Sequence, residues 1–216
     1  MKLYLINGSP NGRKVLSVVR HLGLEPELIW LDMFEGATRD PEYLKLNPNG
    51  QSPTLVDGEL VLWESNAINT YLCEVAANQS LLPTNAADKA QVLKWLCWDL
   101  AHFNKALGVI AFQAVAKPAF GLGESNQAVI DFYKEEFDRY GPVLEAHLEN
   151  RKFVVGDDWT LADYALALVE MFQPAMPIDW QRFPNIVRFY ERMRENPYWA
   201  STQAIPEEVG RKPSNS

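Results

Sequence analysis

Residues 47–71, NPNGQSPTLVDGELVLWESNAINTY, leave the chain few ways to fold. Asn47-Pro48-Asn49-Gly50 is a cluster of turn formers. Thr54-Leu55-Val56 is a short apolar and β-branched run, Asp57-Gly58 is a hairpin signal, and Leu60-Val61-Leu62-Trp63 is the return strand. Ser65 stands at the position of a helix N-cap, ahead of Ala67, Ile68, Tyr71, Leu72 and Val75 at helical spacing. The pattern predicts turn, strand, tight turn, strand and helix in immediate succession.

The residues before this hairpin alternate in the same way. Residues 2–6 read as a strand, Asn7-Gly8-Ser9-Pro10 as a loop, and the following helix runs to Leu22, where Gly23 is a C′-type stop. Glu27-Leu28-Ile29-Trp30-Leu31 is a second strand, and a polar loop leads to a short helix at Pro41-Glu42-Tyr43-Leu44 with proline in its first turn. A β-α-β-α-β-β-α order predicts a mixed sheet with covering helices. The chain turns polar at residues 78–85 around Leu81-Leu82-Pro83, which marks a linker. Beyond it only helical periodicity is found, over residues 86–116, 125–148, 161–172 and 185–194. The predicted fold class is therefore α/β plus all-α: a sheet domain over 1–77, a helical-bundle domain over 86–205, and a loose polar tail over 206–216. Gly121-Leu122-Gly123 is no nucleotide loop, because no strand precedes it and a third glycine is missing.

Composition removes several classes of function. The 216 residues carry 20 Lys and Arg against 28 Asp and Glu, a net charge of −8 that lacks the basic face a nucleic-acid binder needs. No apolar run is long enough to span a bilayer, and Met1-Lys2 leads straight into the first strand, so a cytoplasmic location away from membranes is expected. Cys73 and Cys97 both lie in helical patterns and read as packing residues rather than a disulfide or zinc set. His21, His102 and His147 have no metal-like spacing, so no metal is expected.

The hairpin carries a possible ligand chemistry. Pro53 sits where a strand begins, where a missing N–H costs least. With a cis bond before it, the backbone N–H and C=O of Ser52 face outward. Ser65 opens a helix whose unpaired amides favour an anion, and Glu64 sets a carboxylate beside them. A ligand with a peptide backbone and a terminal α-amino acid group, such as glutathione, suits this set. At Gln51-Ser52-Pro53 and Glu64-Ser65 the chain resembles the cytosolic glutathione transferase superfamily. A second resemblance lies far along the chain, at Gly156 through Asp163. There Thr160-Leu161-Ala162-Asp163 reads as an acidic relative of the capping box, and Trp159 and Tyr164 stand at the hydrophobic-staple positions. That motif implies a buried folding nucleus, and the resemblance spans about residues 1–199. It implies a thioredoxin-like first domain and a helical second one.

The same resemblance implies that glutathione, as co-substrate, has its sulfur held as a thiolate at the first helix start. A free thiol has a pKa of about 8.5, and lowering it by about two units requires roughly 2.7 kcal/mol of differential stabilisation. A hydrogen-bond donor with a helix terminus can supply that. Ser9 and Asn11 are the candidates. Serine-type members carry Ser before Pro, as Ser9 does, and a bacterial and fungal group similar to this chain uses the Asn of Ser-Pro-Asn-Gly. No Cys occurs over residues 7–14, which excludes exchange chemistry on an enzyme sulfur there. The resemblance further implies that Gln51 meets the glycine carboxylate, Ser52-Pro53 the cysteinyl unit, and Glu64 and Ser65 the γ-glutamyl end. The expected function is attack of this thiolate on a small electrophile. Glutathione-dependent disulfide or peroxide reduction, or a non-catalytic interaction module of the same fold, are the alternatives. Asp99 interrupts an apolar stripe that includes Val92, Trp95, Leu96 and Phe103. It reads as a stripe edge in water, as an internal partner of Arg188 or Arg192, or, by resemblance, as a residue that reaches the glutathione ammonium of the other subunit in a homodimer.

Overall fold

The structure, a computed structural model, describes residues 1–78 and 80–202. It divides into two units, Met1–Leu81 joined by the segment that begins at Asn196, and Leu82–Glu195. In the first unit β1 (Lys2–Leu5) pairs in parallel with β2 (Glu27–Trp30), Leu3 opposite Leu28. Parallel neighbours need a crossover, and α1 (Pro10–Leu22) supplies it. α1 ends as its sequence predicts, with Gly23 at φ 67 and the N–H groups of Gly23 and Leu24 returning to Arg20 and Val19 carbonyls. After α2 (Pro41–Leu46), β3 (Thr54–Asp57) joins β1 antiparallel and β4 (Leu60–Trp63) returns beside it, giving the order β2-β1-β3-β4. α3 (Ser65–Val75) closes the motif. Leu3, Leu5 and Leu55 from the sheet, Val15 and Val18 from α1, and Ile68 and Leu72 from α3 form the buried core of this thioredoxin-like arrangement. The tight turn falls one residue later than Asp57-Gly58: Asp57 stays in the ladder opposite Leu60, and Gly58 (φ 58) and Glu59 make the turn. A positive φ at the first central residue alone is the primed geometry that matches strand twist.

The first unit takes its last element from far along the chain. Asn196 caps α10 (Pro197–Ala200) through the N–H groups of Tyr198 and Trp199. Trp199 is fully buried, with the Arg13 guanidinium 4.1 Å above its ring. Arg13 Nε donates to Thr202 Oγ1 at 3.2 Å, and Arg20 Nη1 donates to Ser201 Oγ at 2.7 Å. The segment from Asn196 thus groups with the first unit, which it joins by burying Trp199 against α1. Residues 203–205 and the 206–216 tail lie outside the described residues.

In the second unit α4 (Ala86–Trp98), α5 (Asn104–Ala111) and α6 (Lys117–Ala119) form one continuous helical run, widened by π-helical stretches at Asp99–Phe103 and Phe112–Ala116. α7 (Gln127–His147), α8 (Leu161–Leu166) and α9 (Pro184–Glu195) complete it. The helix predicted over 161–172 stops at Leu166; a 3₁₀ stretch, Glu170–Ala175, follows and contains Pro174. α9 receives its cap from another helix, since the Glu145 carboxylate of α7 accepts the Asn185 and Ile186 N–H groups at 2.9 and 3.0 Å. Asp163 closes the predicted capping element at the start of α8: its carboxylate accepts the Val154 N–H at 2.9 Å, the Thr160 N–H at 2.8 Å and the Thr160 hydroxyl at 2.9 Å. Among the described residues no helix is long and apolar enough to cross a membrane.

Candidate active site

The loop from β1 into α1 presents the two candidate donors differently. Ser9 is the N-cap of α1, its Oγ accepting the Gly12 N–H at 3.2 Å. Asn11, the second residue of the helix, is half-buried, and its Oδ1 accepts the Ser65 hydroxyl at 2.9 Å. The two motifs singled out in the sequence thus meet through one hydrogen bond. With its oxygen held by Ser65, the Asn11 amide NH₂ makes no hydrogen bond among the described residues.

The loop before β3 is organised by a residue that the sequence pattern presents only as a turn former. Asn47 is 2% exposed. Its Nδ2 donates to the Gln51 carbonyl and to Thr54 Oγ1, and its Oδ1 accepts the Asn49 N–H. The Tyr43 hydroxyl, whose pKa burial holds above its ordinary value, also donates to the Gln51 carbonyl. Next in the chain the Ser52-Pro53 bond is cis. Ser52 Oγ accepts the Ile6 N–H at 3.1 Å and donates to the Tyr4 carbonyl at 3.3 Å, so the side chain continues the ladder beyond the end of β1. The backbone N–H and C=O of Ser52 have no partner among the described residues. Gly50 is essential to the loop's course. It has φ 58, and a Cβ there would lie 2.8 Å from the Thr38 carbonyl oxygen. Gly50→Ala is expected to cost about 2–4 kcal/mol through backbone strain and this clash. Chemical denaturation checks it, and a loss below about 1 kcal/mol would show that the loop adapts.

At the other end of the hairpin Glu64 has φ 72 and ψ 109, the sole positive φ of a non-glycine among the described residues. Such conformations cost energy and concentrate at functional sites. Glu64 occupies the cap position of α3 but makes no side-chain cap bond, and it is exposed. The expectation of Ser65 as N-cap is corrected by one residue: Ser65 is the first helical residue and is buried, its hydroxyl turned to Asn11 rather than to its own helix. The unspent amides of this first turn remain an anion site.

Arg39 was not among the residues the sequence singled out. It is exposed, and its Nη1 lies 2.9 Å from where a Gly50 Cβ would be. No hydrogen bond or ion pair engages its guanidinium among the described residues. A lone cation in a polar loop just before Asp40-Pro41 was the available signal. It brings positive charge to Gly50-Gln51.

Asp99 is not part of this arrangement. It is 0% exposed inside the second unit, at the start of the first π-helical stretch, and its carboxylate accepts Asn104 Nδ2, which also donates to the Ala165 carbonyl at 3.0 Å. It is a buried carboxylate rather than a stripe edge in water. Cys73 is buried as expected, whereas Cys97 is exposed. His147 packs against Trp95 and hydrogen-bonds the Val154 carbonyl at 2.8 Å, while His102 stacks on Tyr140. No group of three or more candidate metal ligands occurs among the described residues.

Comparison with known proteins agrees along most of the chain. Residues 1–74 match the family described as Glutathione S-transferase, N-terminal domain, and residues 102–197 match Glutathione S-transferase, C-terminal domain. Glutathione S-transferase 3 of Zea mays is 35% identical over 212 residues, covering 95% of both chains. Glutathione S-transferase GstB of Escherichia coli strain K12 is 33% identical over 204 residues, covering 93% of this chain and 96% of that one. The solved structure of glutathione S-transferase-I bound with lactoylglutathione superposes with a TM-score of 0.83 at 29% identity, covering 94% of this chain and 98% of its own. The chain belongs to the glutathione S-transferase family.

Proposed function

We propose that this glutathione transferase binds the tripeptide along the first unit and that Asn11, rather than Ser9, stabilises its thiolate for attack on a small electrophile. The observation that carries the assignment is the Ser65-to-Asn11 hydrogen bond. It occupies the oxygen of the Asn11 amide and directs the N–H donors toward the ligand. The Ser9 oxygen accepts the Gly12 N–H as the cap of α1, which leaves its hydroxyl proton to donate, so the two donors are separated by substitution. In this reading the cysteinyl backbone pairs with the unpartnered N–H and C=O of Ser52 beside Pro53, a one-residue strand addition. The γ-glutamyl carboxylate meets the first turn of α3 at Ser65, and Glu64 takes the ammonium. Gln51 and Arg39 receive the glycine carboxylate. The protein itself supplies orientation and charge stabilisation, with no general base required. A donor specific to the ionised sulfur acts on reactivity more than on binding.

The test separates the two donors. Ser9→Ala is expected to lose about 1 kcal/mol of stability as a missing cap and to keep most of its turnover, while Asn11→Ala loses turnover. The reverse outcome assigns the thiolate to Ser9. Arg39→Ala is expected to raise the KM for glutathione about tenfold with kcat little changed, the mark of binding that is equal in ground and transition states. Steady-state kinetics at varied glutathione reads it, and an unchanged KM removes Arg39 from the site. The reading extends to a cytoplasmic homodimer of the bacterial and fungal type, which the Ser-Pro-Asn-Gly loop supports; sedimentation as a monomer would remove the dimer from it.

A further inference from the structure

A second contact between the same two helices lies beside the Asn11–Ser65 bond and has no part in the chemistry described so far. Lys14 is 0% exposed, and its Nζ donates to Asn66 Oδ1 at 2.6 Å. A buried ammonium is costly unless it is well hydrogen-bonded, and an apolar side chain of similar size often serves stability as well or better. Lys14 therefore calls for an explanation other than stability. Its position offers one. Lys14 follows Asn11 by three residues on α1, hence on the same face, and Asn66 follows Ser65 directly in the first turn of α3. The two bonds, Ser65 to Asn11 and Lys14 to Asn66, are successive rungs joining the starts of two helices. One start holds the thiolate donor, and the other holds the amides for the γ-glutamyl carboxylate.

We propose that Lys14 is a positioning residue for glutathione: through Asn66 it locks the first turn of α3 against the first turn of α1, and so fixes the spacing between the carboxylate and thiolate sites. This rests on the placement of glutathione proposed above. A charge-assisted bond holds its geometry more tightly than a neutral one, which suits a rung that sets a distance between two binding ends.

The experiment measures glutathione affinity by calorimetry, and KM and kcat by initial rates, in Lys14→Met, Asn66→Leu, the double variant, Asn66→Asp and Glu64→Ala. Lys14→Met and Asn66→Leu are each expected to weaken glutathione binding about tenfold, with KM raised far more than kcat is lowered. The loss in the double variant should fall well short of the sum of the two single losses, because both remove the same rung. Asn66→Asp keeps an acceptor for the ammonium and should bind within about threefold of the unaltered protein. If Lys14→Met does not fold, Asn66→Leu against Asn66→Asp decides alone. Losses that add in the double variant, or affinity unchanged in Asn66→Leu, overturn the proposal. If Glu64→Ala also leaves affinity unchanged, the placement of glutathione itself is wrong. If Glu64→Ala weakens binding and the Lys14 and Asn66 variants do not, only the positioning role is lost.

Discussion

Replacing Asn11 with alanine is expected to raise the thiol pKa of bound glutathione by about one to two units and to lower turnover at neutral pH about 10- to 100-fold. The magnitude follows from the interaction removed. A hydrogen bond to a charged acceptor contributes about 1.5–3 kcal/mol, and each pKa unit corresponds to about 1.4 kcal/mol. The tripeptide's other contacts, at Ser52 and at the first turn of α3, stay in place, so its affinity at low pH should change little. The readout is the thiolate absorbance of the binary complex as a function of pH, together with the pH profile of kcat. Parallel shifts of both toward higher pH are the expected result. A full loss of glutathione binding, or an unchanged thiolate titration, would show that Asn11 has another role. Ser65→Ala should move the titration in the same direction by a smaller amount, because it frees the Asn11 amide to rotate.

The second large effect concerns Asp163, which lies in the second unit and touches no ligand. It is completely buried, and burial pushes its pKa up to about 6 even though three donors reach its two oxygens. Asp163→Ala leaves the Val154 and Thr160 N–H groups buried without acceptors. At about 1–3 kcal/mol for each unsatisfied group, with the loss of the α8 cap added, the expected destabilisation is about 3–5 kcal/mol by denaturant titration. A loss below about 1 kcal/mol would show that the loop re-pairs its amides. The pH dependence has a definite sign. The unfolded chain ionises this carboxyl near a pKa of about 3.9, whereas the fold retains the proton up to about pH 6. Between those values the folded state binds more protons, so this group's contribution to stability falls as pH rises and is level above about 6. Two pKa units amount to about 3 kcal/mol. Asp163→Asn cannot ionise, so the stability difference between the unaltered protein and that variant should shrink by about 2 kcal/mol from pH 4 to pH 6, the rest of the change falling just outside that range. A constant difference would place the folded pKa at its ordinary value.

These two residues also mark how far the sequence could be read. Asp163 and its Thr160 partner were legible because a capping element is local: acceptor and donors lie within one turn, and residue type announces the geometry. The hairpin, the Gly23 helix stop and the Ser52-Pro53 junction were legible for the same reason. The bond between Ser65 and Asn11 was not, because it joins positions 54 residues apart and depends on how α3 meets α1. Asn47 looked like a turn residue, since nothing local tells a turn former from the hub of a hydrogen-bonded loop. Asp99 shows a different limit. Helical periodicity correctly places it on an apolar face, but periodicity says which face is buried and never what covers it. The covering group is Asn104, brought round by a π-helical stretch that no spacing rule foresees.

The packing of residues 196–202 on α1 has a consequence for how the chain is made. The first unit contains the loop at Ser9 and Asn11, the hairpin and α3, all of which leave the ribosome early. Its closing element is translated after the whole helical unit, and the contact between Arg13 and Thr202 spans 189 residues. At about 5–20 residues per second, the gap between the end of α3 and the arrival of Trp199 is on the order of ten seconds. During that interval the face of α1 made by Arg13, Ser17 and Arg20 stands open on a nascent chain. The unit that begins synthesis is therefore completed only after the helical unit has been made, and a polypeptide cut off after its first 81 residues lacks the side chain that covers its own first helix.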